Sequence, residues 1–195
     1  SGEADIGGLS RPLTAREKQK KFFYQIIGYD AIVVYINTQN KIASLSREQV
    51  KQIFTGKIKN WKEVGGVDAP IEPITEIIGG GRATIVEFQE LAMDGEKFGN
   101  VKQTDKPLDC VKAVEKNIHG ITFATLSFQT DKVKVLTYDN VAPTINNVRS
   151  GAYPLSRPLI LISKELPRGK IQKFIHFILS EEGQKIIGKN FVPVR

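Results

Sequence analysis

Apolar and polar positions follow two rhythms along this chain, and the alternation between them predicts an α/β protein. Residues 31–36 are apolar throughout and rich in β-branched side chains, the pattern of a strand buried on both faces. A second rhythm, with apolar residues three and four apart, predicts helices. Thr14-Ala15-Arg16-Glu17 is a capping box that starts a helix over about 15–22, and Ser46-Arg47-Glu48-Gln49 is another. After the latter, Val50, Ile53 and Phe54 recur at helical spacing until Thr55-Gly56 ends the run. An irregular loop with Asn60-Trp61 and Gly65-Gly66 precedes an extended segment over 71–78. Ile85, Phe88, Leu91 and Ala92 then mark a helix fed by a glycine loop. Asp109 is placed to cap a helix carrying Val111 and Val114, and His119-Gly120 turns into a short strand over 121–124. Further strands are expected at 133–136 and 158–163. Ile171, Phe174, Ile175, Ile178 and Leu179 form an amphipathic stripe closed by Ser180, with a last short helix around 184–187.

Composition narrows the class without naming a partner. At 195 residues, 41% hydrophobic and 25% charged, the chain has ordinary globular usage, which suits one domain or two small lobes. The longest apolar run, 31–36, falls far short of the ~20 residues that span a bilayer. Lys and Arg number 28 against 21 Asp and Glu, a net +7 that favours anionic partners. The cations are spread along the chain, which argues against a nucleic-acid footprint. One cysteine, Cys110, excludes an intramolecular disulfide, and two histidines, His119 and His176, are too few and too separated for a His-rich metal site. The start at Ser1-Gly2-Glu3 carries no basic and apolar leader, so an export signal is expected to have been removed or never present.

The sharpest local chemistry lies at Gly79-Gly80-Gly81-Arg82-Ala83-Thr84, where a strand, a glycine loop and a helix follow in the order that builds an anion site. Amides at a helix start point outward with partial positive charge, Arg82 adds a planar fork, and Thr84 adds a hydroxyl. The spacing matches neither a Walker motif nor a dinucleotide fingerprint. The competing reading is a flexible turn whose helix Thr84 merely caps. Asp5 sits in the glycine-flanked stretch Ala4-Asp5-Ile6-Gly7-Gly8, where it can face a ligand or serve as a turn acid. Cys110 reads as a small core hydrophobe, His119 as a turn residue and His176 as a boundary residue. No nucleophile stands with a base and an orienting acid, so the sequence offers no hydrolytic set.

Several blocks, taken together, carry a family resemblance. They are Ala4-Asp5-Ile6-Gly7 with Ser10-Arg11-Pro12-Leu13; Tyr29-Asp30-Ala31-Ile32-Val33-Val34 leading to Asn37; Ile53-Phe54-Thr55-Gly56-Lys57-Ile58 with Asn60-Trp61 and Val64-Gly65-Gly66; Gly151-Ala152-Tyr153-Pro154-Leu155-Ser156-Arg157-Pro158-Leu159; and residues 177–184 with Phe191-Val192-Pro193. In this order, across nearly the whole chain, they resemble phosphate-binding proteins of the PstS type, the solute receptors of phosphate ABC importers. Two features depart from the family pattern. The family begins with ligand-bearing segments ahead of the Ala-Asp-Ile-Gly block, so on the order of 50 residues or more are expected to be absent at about 30 per βαβ unit. In the central loop, Gly81-Arg82-Ala83-Thr84 takes the place of Gly-Ser-Gly-Thr, and Ile78 stands where the family has an Arg.

The resemblance implies a type II periplasmic-binding-protein fold, with two α/β lobes joined by crossing hinge strands and the first lobe truncated. Lobe I would combine 1–36 with 121–195, and lobe II would hold 37–120. It implies non-covalent binding of phosphate or a similar oxyanion at Asp5, Ser10, Arg11, Gly81, Arg82, Ala83 and Thr84, with no catalysis, metal or cofactor. Asp5 would select hydrogen phosphate over sulfate, because a carboxylate repels an oxyanion that has no proton to share. The expected partner is a membrane permease and not nucleic acid, the expected setting is periplasmic or extracytoplasmic, and the open first lobe would self-associate or take up the missing segment. The alternatives are a phosphatase on the same scaffold and a sensory or protein-interaction domain.

Overall fold

A computed structural model describes residues 4–195; Ser1, Gly2 and Glu3, where the sequence was read for a leader, lie outside the described residues. Ten strands and seven helices are described in it. They run β1 (Gly7–Leu9), α1 (Ala15–Gln19), β2 (Phe23–Asn37), β3 (Ser44–Leu45), α2 (Arg47–Phe54), β4 (Glu72–Glu76), α3 (Ala83–Met93), β5 (Lys102–Thr104), α4 (Pro107–Glu115), β6 (Gly120–Thr125), β7 (Val133–Val135), β8 (Thr137–Tyr138), α5 (Ile145–Ser150), β9 (Ser156–Ser163), α6 (Gly169–Leu179), α7 (Glu181–Ile187) and β10 (Val192–Pro193).

β2 organises everything else. Its first part pairs antiparallel with β9, from Phe23 opposite Ser163 to Ala31 opposite Ser156, and β1 lies along the far side of β9. From Ile32 onward the same strand pairs antiparallel with β6, and then with β7. β4 joins β6 in parallel, and β5 joins β4 in parallel. One continuous strand therefore belongs to two groups of strands, and the change of partner falls between Ala31 and Ile32. That change explains why β2 is more than twice as long as the apolar run at 31–36. Tyr24, Gln25, Tyr29 and Asp30 interrupt hydrophobicity in the first part but not the hydrogen-bonded ladder.

The core fills the space around the second part of β2, whose residues 31–36 are buried. α2 and α3 cover it through an aromatic cluster. Phe88 stacks on Phe123 with centroids 3.6 Å apart, and Phe54 meets both edge-on at 5.1 and 5.4 Å. Both capping boxes form as their sequences require: Thr14 with Glu17, and Ser46 with Gln49. α1 stops earlier than expected, at Gln19, with Lys21 in the left-handed region at φ 52°. Asp109 does not cap α4. Lys106 holds the N-cap, Pro107 follows it, and Asp109 lies in the first turn, where a carboxylate still favours the helix dipole.

The α6 stripe is only partly used, since Ile175 is its single buried residue while Phe174 and Phe177 are exposed. Cys110 is buried as expected, within reach of the Thr104 hydroxyl at 2.9 Å. Among the described residues no helix is long and apolar enough to cross a membrane.

Candidate anion site at the strand junction

The glycine loop feeds α3 as the sequence indicates. Gly79 and Gly81 take φ of 84° and 69°, a region that side chains disfavour, and this turns the chain sharply between β4 and α3. Thr84 does not cap the helix. The N-cap is Arg82, in extended geometry and with no side-chain hydrogen bond to the helix start. Unlike α1, α2 and α7, which carry side-chain caps, α3 begins without one. Gly81, Arg82 and Ala83 are exposed and Thr84 is half-buried, so the first turn faces outward.

Behind that turn lies a charge pair the sequence did not single out. Asp30 on β2 stands opposite Arg157 on β9, at the place where β2 changes partners. Arg157 donates to Asp30 Oδ2 from Nε at 3.1 Å and from Nη2 at 2.8 Å. The Ala31 amide, at 2.9 Å, and the Thr125 hydroxyl donate to Oδ1. Both charged side chains are nearly sealed, 6% and 4% exposed. Arg157 Nη2 also donates to Thr84 Oγ1 at 3.1 Å, which ties α3 to the junction.

Two acids complete the surroundings. Glu76 ends β4 with both carboxylate oxygens buried and, among the described residues, without a hydrogen-bond partner. Burial raises its carboxyl above the ordinary range, while Arg82 and Arg157 pull it down. Burial also raises Glu87 on α3, against Arg157 and Arg11. Arg11, Arg82 and Arg157 thus act on one small region around the first turns of α3.

The sequence candidates are only partly brought together. Arg82, Ala83 and Thr84 share the α3 turn with Gly81. Arg11 is held by Glu17 through two contacts of 2.7 and 2.8 Å, which with the Thr14 amide lower the Glu17 carboxyl to about 2. Its guanidinium is therefore engaged, and its field rather than a free fork reaches the α3 region. Ser10 is half-buried beside it. Asp5 is exposed on the rim of a cavity of about 180 Å³ with Phe22, Ile162 and Lys164, and among the described residues no hydrogen bond or ion pair joins it to α3. A larger cavity, about 780 Å³, lies between α7 and the chain end with Gln184, Lys185 and Arg195, and shares no residue with this cluster.

One long strand shared by two groups of strands, with a helix start that has no side-chain cap and Arg157 at the change of partner, fits the type II periplasmic-binding class of fold. The family model for the PBP superfamily domain matches residues 1–182, and the chain belongs to that superfamily. It is similar to phosphate-binding proteins PstS from Staphylococcus haemolyticus, 31% identical over 98% of this chain and 66% of the relative, and from Bacillus subtilis, 32% identical over 82% and 53%. The chain spans roughly half to two thirds of the length of these curated relatives.

Solved structures agree in fold. An ABC-type phosphate transport receptor from Vibrio cholerae superposes with a TM-score of 0.84 at 28% identity, covering 97% of this chain and 79% of that one. A substrate-binding protein assigned to a phosphate ABC transporter of Clostridium perfringens, solved with bound phosphate, superposes with a TM-score of 0.82 at 36% identity, covering 100% and 81%.

Proposed function

We propose that this chain binds inorganic phosphate, or a similar tetrahedral oxyanion, non-covalently as the solute receptor of an ABC importer. The observation that carries the reading is the first turn of α3, which has no side-chain cap and starts at Arg82, and whose Thr84 hydroxyl accepts from the buried Arg157. The phosphate named for the Clostridium perfringens and Vibrio cholerae proteins supports the choice of ligand. In this reading Gly81 gives the anion close access, Ala83 and Thr84 offer amides and a hydroxyl, and Arg82 closes from outside. Asp5, Ser10 and Arg11 enter this reading on the family resemblance alone, with Asp5 as the proton-sharing selector, since Asp5 lines a separate cavity and Arg11 is held by Glu17. No bond is made or broken. The receptor acts outside the cytoplasm and delivers its anion to a membrane permease.

The lobe division that strand pairing supports runs through β2. Residues up to 31 go with β1, β9 and β10, while 32–37 go with β6, β7, β4 and β5. The exposed apolar side chains of the first group, Phe174, Phe177, Ile186 and Phe191, support self-association of that lobe.

One calorimetric series tests the site. Arg82→Ala is expected to weaken phosphate binding by roughly 1.5–3 kcal/mol, the size of a charge-assisted hydrogen bond, with little change in melting. Asp5→Asn is expected to lower discrimination against sulfate while phosphate affinity drops only moderately. Unchanged phosphate affinity in Arg82→Ala removes the loop from the site, and an unchanged phosphate-to-sulfate ratio leaves Asp5 structural. Light scattering of the same samples reads the association, which a monodisperse monomer contradicts.

A further inference from the structure

We infer that Arg157 is the inner cation of this site, serving both to orient the Thr84 hydroxyl and to receive an anion oxygen; the inference rests on the oxyanion reading above. The argument starts from the geometry of a guanidinium. Its side edge, formed by Nε and Nη2, is taken by Asp30 Oδ2. Its end edge is formed by the second Nη2 proton and by Nη1. Nη2 spends that proton on Thr84 Oγ1 at 3.1 Å, so the end edge faces the start of α3. Nη1, on the same edge, is buried and has no hydrogen-bond partner among the described residues. A buried charged donor without a partner costs free energy, and here it stands beside a helix start that, like those of α4 and α6, has no side-chain cap.

Thr84 gains a direction from the same contact. A hydroxyl has one proton and two lone pairs, and Arg157 occupies a lone pair. The Thr84 proton is then free to point away from Arg157, toward an acceptor at the helix start. Asp30 fixes the arrangement from behind, because its other oxygen is filled by the Ala31 amide and Thr125 and cannot swing toward the ligand. Ile78 occupies the loop position where the resemblance places an Arg, and Arg157 supplies a guanidinium to the same turn from a different strand.

The test is a double-mutant cycle read with inorganic phosphate by calorimetry. Arg157→Lys keeps a positive charge opposite Asp30 but lacks the fork, and it is expected to weaken binding roughly 10- to 150-fold. Thr84→Val removes the hydroxyl at nearly constant volume and is expected to weaken binding, with Thr84→Ser restoring most of the loss. In the double variant the two losses are expected to be far from additive. Additive losses, or an Arg157→Lys protein that binds as tightly as the wild type, overturn the role of Arg157. Independently of any variant's folding, ¹⁵N-arginine labelling of the wild type is expected to show the Arg157 Nη resonances shifting with phosphate, and resonances that stay fixed overturn it. A wild type that takes up no phosphate overturns the oxyanion site itself, which is distinct from a wild type that binds through other groups.

Discussion

Asp30→Ala is expected to lower stability by about 3–5 kcal/mol, because it leaves the Arg157 guanidinium buried with its main counter-charge gone. The loss has three parts in the structure. Two hydrogen bonds from Arg157 disappear, the Thr125 hydroxyl loses its acceptor, and the Ala31 amide must find another partner. Surface pairs such as Lys62 with Asp68 or Lys185 with Glu181 offer the contrast, since both partners are solvated and their removal is expected to change little. Urea unfolding measures both, and a loss below about 1 kcal/mol for Asp30→Ala would place the pair in solvent-like surroundings. Replacing Asp30 and Arg157 together by leucines is expected to recover much of the stability, as for buried pairs generally, while abolishing phosphate binding.

The second large effect is expected at Phe123→Ala, at about 3–5 kcal/mol. Phe123 on β6 is where the aromatic cluster meets: it stacks on Phe88 at 3.6 Å, touches Phe54 edge-on at 5.4 Å, and approaches Phe98 at 6.1 Å. Truncation would leave a cavity walled by rigid rings that cannot collapse into it. For a chain of this size the loss corresponds to a fall in melting temperature of roughly 6–20 °C. Because Phe88 belongs to α3, the same change loosens the helix whose first turn carries Arg82 and Thr84. Phosphate is therefore expected to raise the melting temperature of Phe123→Ala less than that of the wild type. An equal rise in both would show that the helix start is held without the cluster.

The parts legible in the sequence are those whose causes are local. The two capping boxes needed only side chains three residues apart, and the glycine loop before α3 announced its turn and its exposed amides together. β1, β3, β8 and β10 are two or three residues long, too short to show any period, and exist because a neighbouring strand supplies their hydrogen bonds. α5 was missed for a similar reason: six residues with Val148 as the only buried one leave no stripe to read. The charge pair at the junction was hidden differently. Asp30 and Arg157 each stand near the start of an apolar run, which was the available signal, but 127 residues separate them. Only the register of β2 against β9 makes them partners. Arg157 could be quoted as part of a family block without its task being visible, because that task depends on Thr84 arriving from a third element.

β2 also settles what kind of motion can bring the two halves together. At about 3.3 Å per residue its 15 residues make a rod near 50 Å long, laced to partners on both sides of the junction. Sliding one half past the other would break ladder hydrogen bonds by whole registers, so the compliant movements are bending and twisting of the rod itself. A bend of about 5° at Ala31 would carry the far end of a 25 Å arm by about 2 Å, comparable to the reach of one hydrogen bond. The Asp30–Arg157–Thr84 chain sits at the fulcrum of that lever, where atoms move least while the tips move most. A joint built this way has a stiffness set by the hydrogen bonds of a single strand rather than by the length of a flexible connector.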